Sequence, residues 1–142
     1  MSEMPQRQDY PHLQPILTRW QDCDLNGHIA GATVYSYFDT TIQAFLLQQA
    51  NLDPQEGEVL GFVVSSAADF FALPAFPDTL EVGLRVARLA GSSVEYQLGL
   101  FRLGEMQPCA AGKVVQVFVE RGSGRPATLP AELQAALSRL QG

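Results

Sequence analysis

Apolar residues recur at two different spacings along the chain, and the change of spacing separates its elements. From about Thr33 to Gln49 they recur at helical spacing and lie on more than one side of the helix axis. This distribution predicts a long helix that is largely buried against a sheet. From Val59 onward the spacing changes to period two, which is typical of strands with one face in a core.

Four strands are predicted to follow the long helix. They are Gly61 to Phe71, Thr79 to Leu89, Ser93 to Leu103 and Cys109 to Glu120. The last three are joined by short connections, so they are expected to pair as antiparallel neighbours. A first strand is predicted at His12 to Trp20, and a closing surface helix at Pro130 to Leu140. These elements indicate an α+β fold in which about five strands curl around the helix.

Composition narrows the class of protein. The 142 residues are 46% hydrophobic and are expected to form a single domain over 1–142, with 1–11 as a loose lead-in. The net charge of -6 and the scattered Lys and Arg argue against binding to nucleic acid or to an anionic membrane. No apolar run approaches the roughly 20 residues that cross a bilayer. Without the apolar core of a signal peptide near its start, the protein is expected in the cytoplasm.

A polar loop from Gln21 to Ala32 runs directly into the long helix. It carries Asp22, Asp24 and His28 within seven positions. The start of the helix is therefore expected beside these acids, and aligned N–H groups there favour negative charge. Taken alone, Asp24 is a turn or capping acid, and Asp22 accepts hydrogen bonds from loop N–H groups.

A metal site is not expected in this loop. Cys23, Asp24 and His28 superficially resemble a set of ligands, but no second close pair of Cys or His accompanies them. We therefore expect no metal and no cofactor.

The stretch RWQDCDLNGHIAGATVYSYFDT resembles the signature of hotdog-fold acyl-CoA thioesterases of the 4-hydroxybenzoyl-CoA thioesterase-like family. That signature reads Asp-x-Asp-x-x-Gly-His-Val-Asn-Asn, followed by Tyr-x-Tyr-Phe. The segments FFALPAFPDTLEVGLRVARLAGSSVEYQLGLF and GKVVQVFVERGSGRPATLP are similar to the strands and closing turn of that family. The resemblance covers about Trp20 to Leu140 and implies a hotdog fold with a C-terminal helix.

The resemblance also implies an activity, which is hydrolysis of the thioester bond of an acyl-CoA. Asp24 matches the catalytic carboxylate of the family and would act as the nucleophile on the carbonyl or as the base on a water. The N–H of Gly31 matches the oxyanion donor. His28 would act as an acid or orient the loop.

The family further implies a homodimer with a continuous sheet and an active site at each subunit interface, with a homotetramer as the alternative. A dimer is also favoured because a long edge strand is a pairing template in a monomer. That edge strand is expected at Gly61 to Phe71 or at Cys109 to Glu120.

One departure from the family affects the substrate. Ala30 and Gly31 stand where the family has its Asn-Asn pair, so side-chain amides are missing at the entrance of the helix. The substrate-binding candidates come from the loop, the helix, the next strand and a later hairpin: Asn26, Tyr35, Ser65, Ser66, Arg85 and Arg88. The serine hydroxyls would line the pocket, and the arginines suit the phosphates of coenzyme A.

Two other classes of function stay open. A hotdog dehydratase or hydratase would act on the acyl β-carbon and use His28 with an acid. A non-catalytic acyl-binding protein would keep the fold without the chemistry. The paired acids of the loop favour hydrolysis.

Overall fold

A computed structural model describes residues 5–141 of the chain. Its elements, in chain order, are β1 (His12–Leu17), α1 (Gly31–Gln49), β2 (Val59–Phe70), β3 (Thr79–Ala90), β4 (Ser93–Arg102), β5 (Ala110–Glu120) and α2 (Ala131–Ser138). The five strands form one antiparallel sheet in the order β1-β3-β4-β5-β2. The predicted α+β architecture, with a long helix and a closing helix, is confirmed.

The strands β3, β4 and β5 follow one another as the predicted meander, but the strand after the helix does not join them in sequence order. β2 pairs with β5, and β1 pairs with β3, so β1 and β2 form the two edges of the sheet. The expectation that Cys109 to Glu120 could be an edge strand is therefore wrong, because β5 has a partner on each side. The long edge is β2.

The helix α1 is buried on one face only. Its buried residues recur at three- and four-residue spacing: Val34, Tyr37, Phe38, Thr41, Ile42, Phe45 and Leu46. Tyr35 and Leu47 on the opposite face are exposed, so the prediction of a helix buried on most sides is too broad. The sheet of one chain covers a single side of the helix. Full burial of Phe38 or Ile42 contributes about 1.5–3 kcal/mol each.

A close approach of helix and sheet occurs at Gly112 of β5. A Cβ atom at this position would lie 2.6 Å from Cε2 of Phe38 and 2.8 Å from the carbonyl oxygen of Ala67. The missing side chain thus lets the Phe38 ring lie directly on the sheet. Substitution here would push the helix away from the sheet.

The lead-in before β1 is packed, in contrast to the loose segment that we predicted. Tyr10 is buried on the outer face of the sheet, where a Cβ at Gly83 would lie 2.5 Å from the Cγ atom of its ring. Arg7 donates to both carboxylate oxygens of Glu81, at 2.8 and 3.0 Å. These contacts hold 5–10 against the sheet, while the first four residues of the predicted lead-in lie outside the described part of the chain.

Two element boundaries near the polar loop differ from the prediction. The helix begins at Gly31 rather than at Thr33, and the first strand ends at Leu17 rather than at Trp20. Trp20–Asp22 instead forms a 3₁₀ turn, since the carboxylate of Asp22 accepts the N–H of Arg19 at 3.0 Å. No helix within 5–141 is long and apolar enough to cross a membrane.

Candidate functional site

The loop between β1 and α1 is folded back on itself as a small hairpin. The N–H of Asp24 donates to the carbonyl of His28 at 2.8 Å, and the N–H of Ala30 donates to the carbonyl of Asp22 at 3.0 Å. Gly27 follows Asn26 at the tip and takes a positive φ of 82°, a conformation that glycine adopts readily in a turn. The two sides of the hairpin lie together, so Asp22 is opposite Ala30 at the start of the helix and Asp24 is opposite His28, three residues before it.

The hairpin is also tied to the rest of the fold. The N–H of Ile29 donates to the carbonyl of Pro74 at 2.8 Å, in the connection between β2 and β3. The ring of Trp20 meets that of Phe76 edge to face, with centroids 6.1 Å apart. The loop is therefore held from two sides, and its carboxylates have defined positions.

Asp24 presents an exposed carboxylate with one oxygen engaged. Its Oδ1 accepts the backbone N–H of Asn26 at 2.9 Å and that of His28 at 3.2 Å. No donor within 5–141 reaches Oδ2. The backbone thus orients the group through Oδ1 and leaves Oδ2 available for chemistry.

Asp22 is the buried acid of the pair, with 5% of its surface exposed. Its Oδ2 accepts the hydroxyl of Tyr37 at 2.7 Å and the N–H of Arg19 at 3.0 Å. Burial acts to raise the pKa of Asp22, but these hydrogen bonds and the charge of Arg19 together outweigh it and lower the pKa. Burial, and then the bond to Asp22, raise the pKa of Tyr37. Asp22 thus joins the loop to the buried face of α1.

The start of α1 offers free hydrogen-bond donors. Ala30 precedes the helix in an extended conformation and provides no side-chain cap. The N–H groups of Gly31 and Ala32 have no acceptor among the described residues. Gly31 lies outside the positive-φ region, and a Cβ there would be 3.6 Å from Cζ of Phe70. Unsatisfied N–H groups at a helix start attract negative charge.

His28 orients the loop through its backbone, since its N–H and carbonyl are both bonded to Asp24. Its imidazole accepts or donates no hydrogen bond within the described residues. The ring is only partly buried. The side chain is therefore free for a separate role.

The candidate residues of β2 point to opposite faces of the sheet. Ser66 pairs with the buried Val114 and faces α1, where it shares a cleft of about 420 Å³ with Tyr35. Ser65 pairs with Val115 and lies on the outer face, away from the helix. Asn26 is exposed in the loop and contributes its N–H to Asp24. Of the two serines, only Ser66 lies on the side of the loop and the helix.

The structure does not bring Arg85 and Arg88 to the loop of the same subunit. Both lie on the outer face of the sheet. Nε of Arg85 donates a hydrogen bond to Oε1 of Gln97, and Arg88 lies opposite Glu95 in the register of β3 and β4. Thr79 lies at the end of β3 that is near the polar loop. Arg88 is nine residues further along the strand, so the two residues are about 30 Å apart. Their predicted contact with coenzyme A phosphates would therefore require a second subunit.

Asp39, which is not among the candidates predicted from the sequence, lines the same cleft as Tyr35 and Ser66. Its signal was available, because Asp39 follows Tyr35 by four residues and so lies on the same side of the helix. Within 5–141 no group of three His, Cys, Asp or Glu side chains is placed to hold a metal ion.

One family model matches most of the chain, and many solved structures are similar to it. The family model described as the thioesterase-like superfamily matches residues 18–137. No curated protein is similar enough in sequence to match the chain. Among solved structures, the PA5185 protein of Pseudomonas aeruginosa strain PAO1 is 53% identical over 97% of this chain and 96% of its own, with a TM-score of 0.95.

Two more distant structures share the fold. Slr0204, a 1,4-dihydroxy-2-naphthoyl-CoA thioesterase from Synechocystis, is 18% identical, with a TM-score of 0.79 over 89% of this chain and 94% of its own. SAV2348 from Staphylococcus aureus, solved in complex with CoA, is 13% identical, with a TM-score of 0.83 over 100% of this chain and 90% of its own. At these identities the likeness concerns the fold alone.

Proposed function

The chain belongs to the thioesterase-like superfamily, as its loop motif predicted, and from this premise we propose that it hydrolyses the thioester bond of an acyl-CoA. One observation carries the proposal. Asp24 holds its Oδ1 on two backbone N–H groups and keeps Oδ2 free, on a loop that leads into a helix start with unsatisfied donors. A reactive carboxylate beside an anion-stabilising helix start suits attack on a carbonyl.

Two routes use this arrangement. In one, Oδ2 of Asp24 attacks the thioester carbon and expels the thiolate, and water then hydrolyses the acyl–aspartyl anhydride. In the other, Oδ2 takes a proton from a water molecule that attacks the carbon directly. Either way the carbonyl oxygen gains negative charge, which the N–H of Gly31 and the helix dipole stabilise. The free imidazole of His28 is the candidate acid for the leaving thiolate.

The choice of acyl-CoA as the substrate class rests on fold relatives. Slr0204 is a 1,4-dihydroxy-2-naphthoyl-CoA thioesterase, and SAV2348 was solved with CoA bound. Both share the architecture of this chain across most of its length. Water is the only co-substrate of the proposed reaction, so we propose no cofactor.

The proposed enzyme is a homodimer, in which the edges of two copies of β2 meet. Among residues 5–141, no strand pairs with the outer edge of β2, and Phe62, Val63 and Val64 of this strand are exposed. A two-fold axis makes such a pairing antiparallel, so the end of β2 near Gly31 meets the beginning of the partner's strand. The partner would thus border each site.

The test of the proposal is release of free thiol from a panel of acyl-CoA esters. Asp24→Asn should lower turnover by at least roughly 10²-fold, because an amide is neither nucleophile nor base at neutral pH. Asp69→Asn, an exposed carboxylate on the outer face of β2, serves as the matched control and should keep activity. Circular dichroism of each variant checks that the fold is retained.

Other outcomes would replace the proposal. Near wild-type turnover by folded Asp24→Asn would show that another group performs the chemistry. Addition of water to a trans-2-enoyl thioester without release of thiol would indicate a hydratase. Binding of acyl-CoA with neither reaction would indicate an acyl-binding protein.

A further inference from the structure

A row of small residues crosses the outer face of the sheet from β3 to β5. Gly83 pairs with Gly99, and Gly99 pairs with Ala111. The ring of Tyr10 fills the first part of this row, since a Cβ at Gly83 would lie 2.5 Å from its Cγ atom and a Cβ at Gly99 would lie 2.9 Å from its hydroxyl oxygen. The ring therefore runs from β3 toward β4, and its hydroxyl is directed along the row toward β5.

Beyond this hydroxyl the row is open. A cavity of about 350 Å³, which we call the outer cavity, is bordered there by Pro5, Tyr10, Asp69, Gln97, Ala111 and Lys113. Its volume is at the lower end of the range for small-molecule sites. Its floor is flat, because Ala67 and Ala111 contribute only methyl groups. A thin ligand can therefore lie against the sheet, on the face opposite α1.

The hydroxyl of Tyr10 is a donor that the protein leaves without an acceptor. Tyr10 is only 5% exposed, yet its hydroxyl makes no hydrogen bond within 5–141. Burial raises the pKa of Tyr10 to about 12, so the hydroxyl keeps its proton at neutral pH. The ring is fixed by Phe101, which meets it edge to face, and by the guanidinium of Arg85 above it. An oxygen atom of a ligand in the outer cavity would satisfy this donor.

Two further donors lie on the same side of the cavity. The amide oxygen of Gln97 accepts a hydrogen bond from Arg85, and its amide nitrogen has no acceptor among the described residues. Lys113 lies opposite Gln97 on β5, with its ammonium 3.3 Å from a carboxylate oxygen of Glu95. Together with the hydroxyl of Tyr10, these groups place three donors over β4 and β5. A carboxylate suits them, because it is planar and accepts several hydrogen bonds.

A carboxylate of the protein borders the cavity on β2. Asp69 lies beside Ala111 in the register of β2 and β5, and no cation within 5–141 pairs with it. The charges near the cavity therefore balance, since Arg85 and Lys113 are positive whereas Asp69 and Glu95 are negative. A simple anion would be repelled by Asp69, and a simple cation by Lys113. A molecule that carries both charges avoids the two repulsions.

We propose that the outer cavity is a second ligand site, which binds a small zwitterion with its carboxylate at the three donors and its ammonium at Asp69. The two ends lie one to two strands apart, about 5–10 Å, so a flat apolar group joins them over Ala111. The inference is independent of the proposed hydrolysis, because the cavity is on the face of the sheet away from the helix. Asp69 takes no part in that reaction.

The experiment uses para-(aminomethyl)benzoate as the probe, because its ring is flat and its carboxylate and ammonium lie at opposite ends. Two matched compounds each lack one end: para-methylbenzoate has no ammonium, and benzylamine has no carboxylate. Titration calorimetry measures their affinities for wild type, Tyr10→Phe, Asp69→Asn and Tyr35→Phe. Tyr10→Phe removes the hydroxyl and keeps the ring over the two glycines, and urea unfolding checks that its fold is retained.

Wild type should bind the zwitterion about tenfold more tightly than either matched compound. Tyr10→Phe should weaken both carboxylates by about tenfold and leave benzylamine unchanged, because only the carboxylates accept from the hydroxyl. Asp69→Asn should abolish the preference for the zwitterion over para-methylbenzoate. Tyr35→Phe is the control, since it loses a hydroxyl on the outward face of α1, and it should bind as wild type does.

The inference is wrong if wild type binds none of the three compounds at millimolar concentration or binds all three equally. It is also wrong if Tyr10→Phe binds the zwitterion as tightly as wild type, because the zwitterion then binds elsewhere on the protein. A preference that survives in Asp69→Asn would contradict the assigned position of the ammonium. Thiol release from acyl-CoA esters, measured without the zwitterion, tests the proposed hydrolysis separately, so failure of one proposal leaves the other standing.

Discussion

The hydroxyl of Tyr37 donates a 2.7 Å hydrogen bond to the buried carboxylate of Asp22, 15 residues earlier in the chain. Tyr37 lies on the face of α1 that packs into the core, whereas Asp22 opens the hairpin that carries Asp24. A bond between these two residues therefore couples the loop to the most rigid part of the molecule. The position of the exposed Asp24 therefore depends on the buried Asp22.

We expect Tyr37→Phe to destabilise the protein by about 1–3 kcal/mol, since it leaves a buried carboxylate without one of its donors. Thioester turnover should fall as well, because the loop loses its tie to the helix. Urea unfolding and thiol release measure the two effects. Tyr35→Phe, which removes a hydroxyl from the outward face of the same helix, is the control for stability. Equal unfolding free energies of the two variants would contradict the coupling.

Acid should weaken the fold through Asp22. Its pKa is lower in the folded chain than in the unfolded one, so the unfolded state binds the proton more readily. The contribution is fully present above the unfolded value, near pH 4, and is lost as the pH falls through the lower folded pKa. The unfolding free energy of wild type should decrease in this window, and that of Asp22→Asn should decrease less.

Protonation of His12 lowers the unfolding free energy in a second pH range, which has to be separated from that of Asp22. Burial lowers its pKa in the folded chain, so its contribution is lost as the pH falls below about 6.5. Below about pH 4, backbone hydrogen bonds that lower the pKa of Asp53 contribute as well, so the difference between wild type and Asp22→Asn isolates the part that belongs to Asp22. If Asp22→Asn and wild type show parallel curves there, the carboxylate does not contribute as the geometry indicates.

Two substitutions at Gly31 should separate loss of the donor from backbone strain. Proline is favoured at the first position of a helix, and Ala30 before it already has an extended conformation that proline tolerates. Gly31→Pro should therefore fold while its kcat falls by on the order of 10²-fold, because the N–H is gone. Gly31→Ala keeps the N–H, and its Cβ has ordinary contact with Phe70, so its effect should be mild.

Steady-state kinetics and circular dichroism check this pair. An unchanged kcat for folded Gly31→Pro would show that the oxyanion is stabilised elsewhere. Severe and equal losses in both variants would point to crowding by any side chain at this position.

The protein should have at least twice the mass of one 15.5 kDa chain in solution, because β2 is an apolar edge strand. Val64→Glu places a charge on this edge and should shift the mass toward a monomer. Leu103→Glu is its matched control, since both side chains are 60% exposed and Leu103 lies in the turn after β4. Light scattering at micromolar concentration measures the mass of wild type and of each variant. A wild-type mass of one chain would rule out the shared site.

Much of this architecture can be predicted from local patterns alone. Period-two alternation predicted β3, β4 and β5. Their order in the sheet was also predictable, because short turns bring consecutive strands together as antiparallel neighbours. The Asn26-Gly27 pair marked the turn, and the spacing of Asp22 and Asp24 identified the family. These features depend on residues close together in the chain.

The faces of the strands could not be predicted in the same way. The extra residue Val64 forms a bulge in β2, which sends Ser65 to the outer face and Ser66 toward the helix. A shift of one residue reverses the direction of every later side chain in a strand, and a bulge is invisible in composition. That Arg85 and Arg88 lie on the outer face could not be predicted for a related reason, since alternation does not say which face of the sheet a side chain takes.

By itself, the sequence determined the helix, the strands, the polar loop and the family, because these depend on spacing, turn residues and a short motif. Only the tertiary structure decided that β2 pairs with β5, that Asp22 is buried under Tyr37 while Asp24 stays exposed, and that Asp39 shares a cleft with Ser66. Each of these relationships joins residues that are distant in sequence. They follow from how the sheet closes over one side of the helix, which depends on the packing of the whole chain.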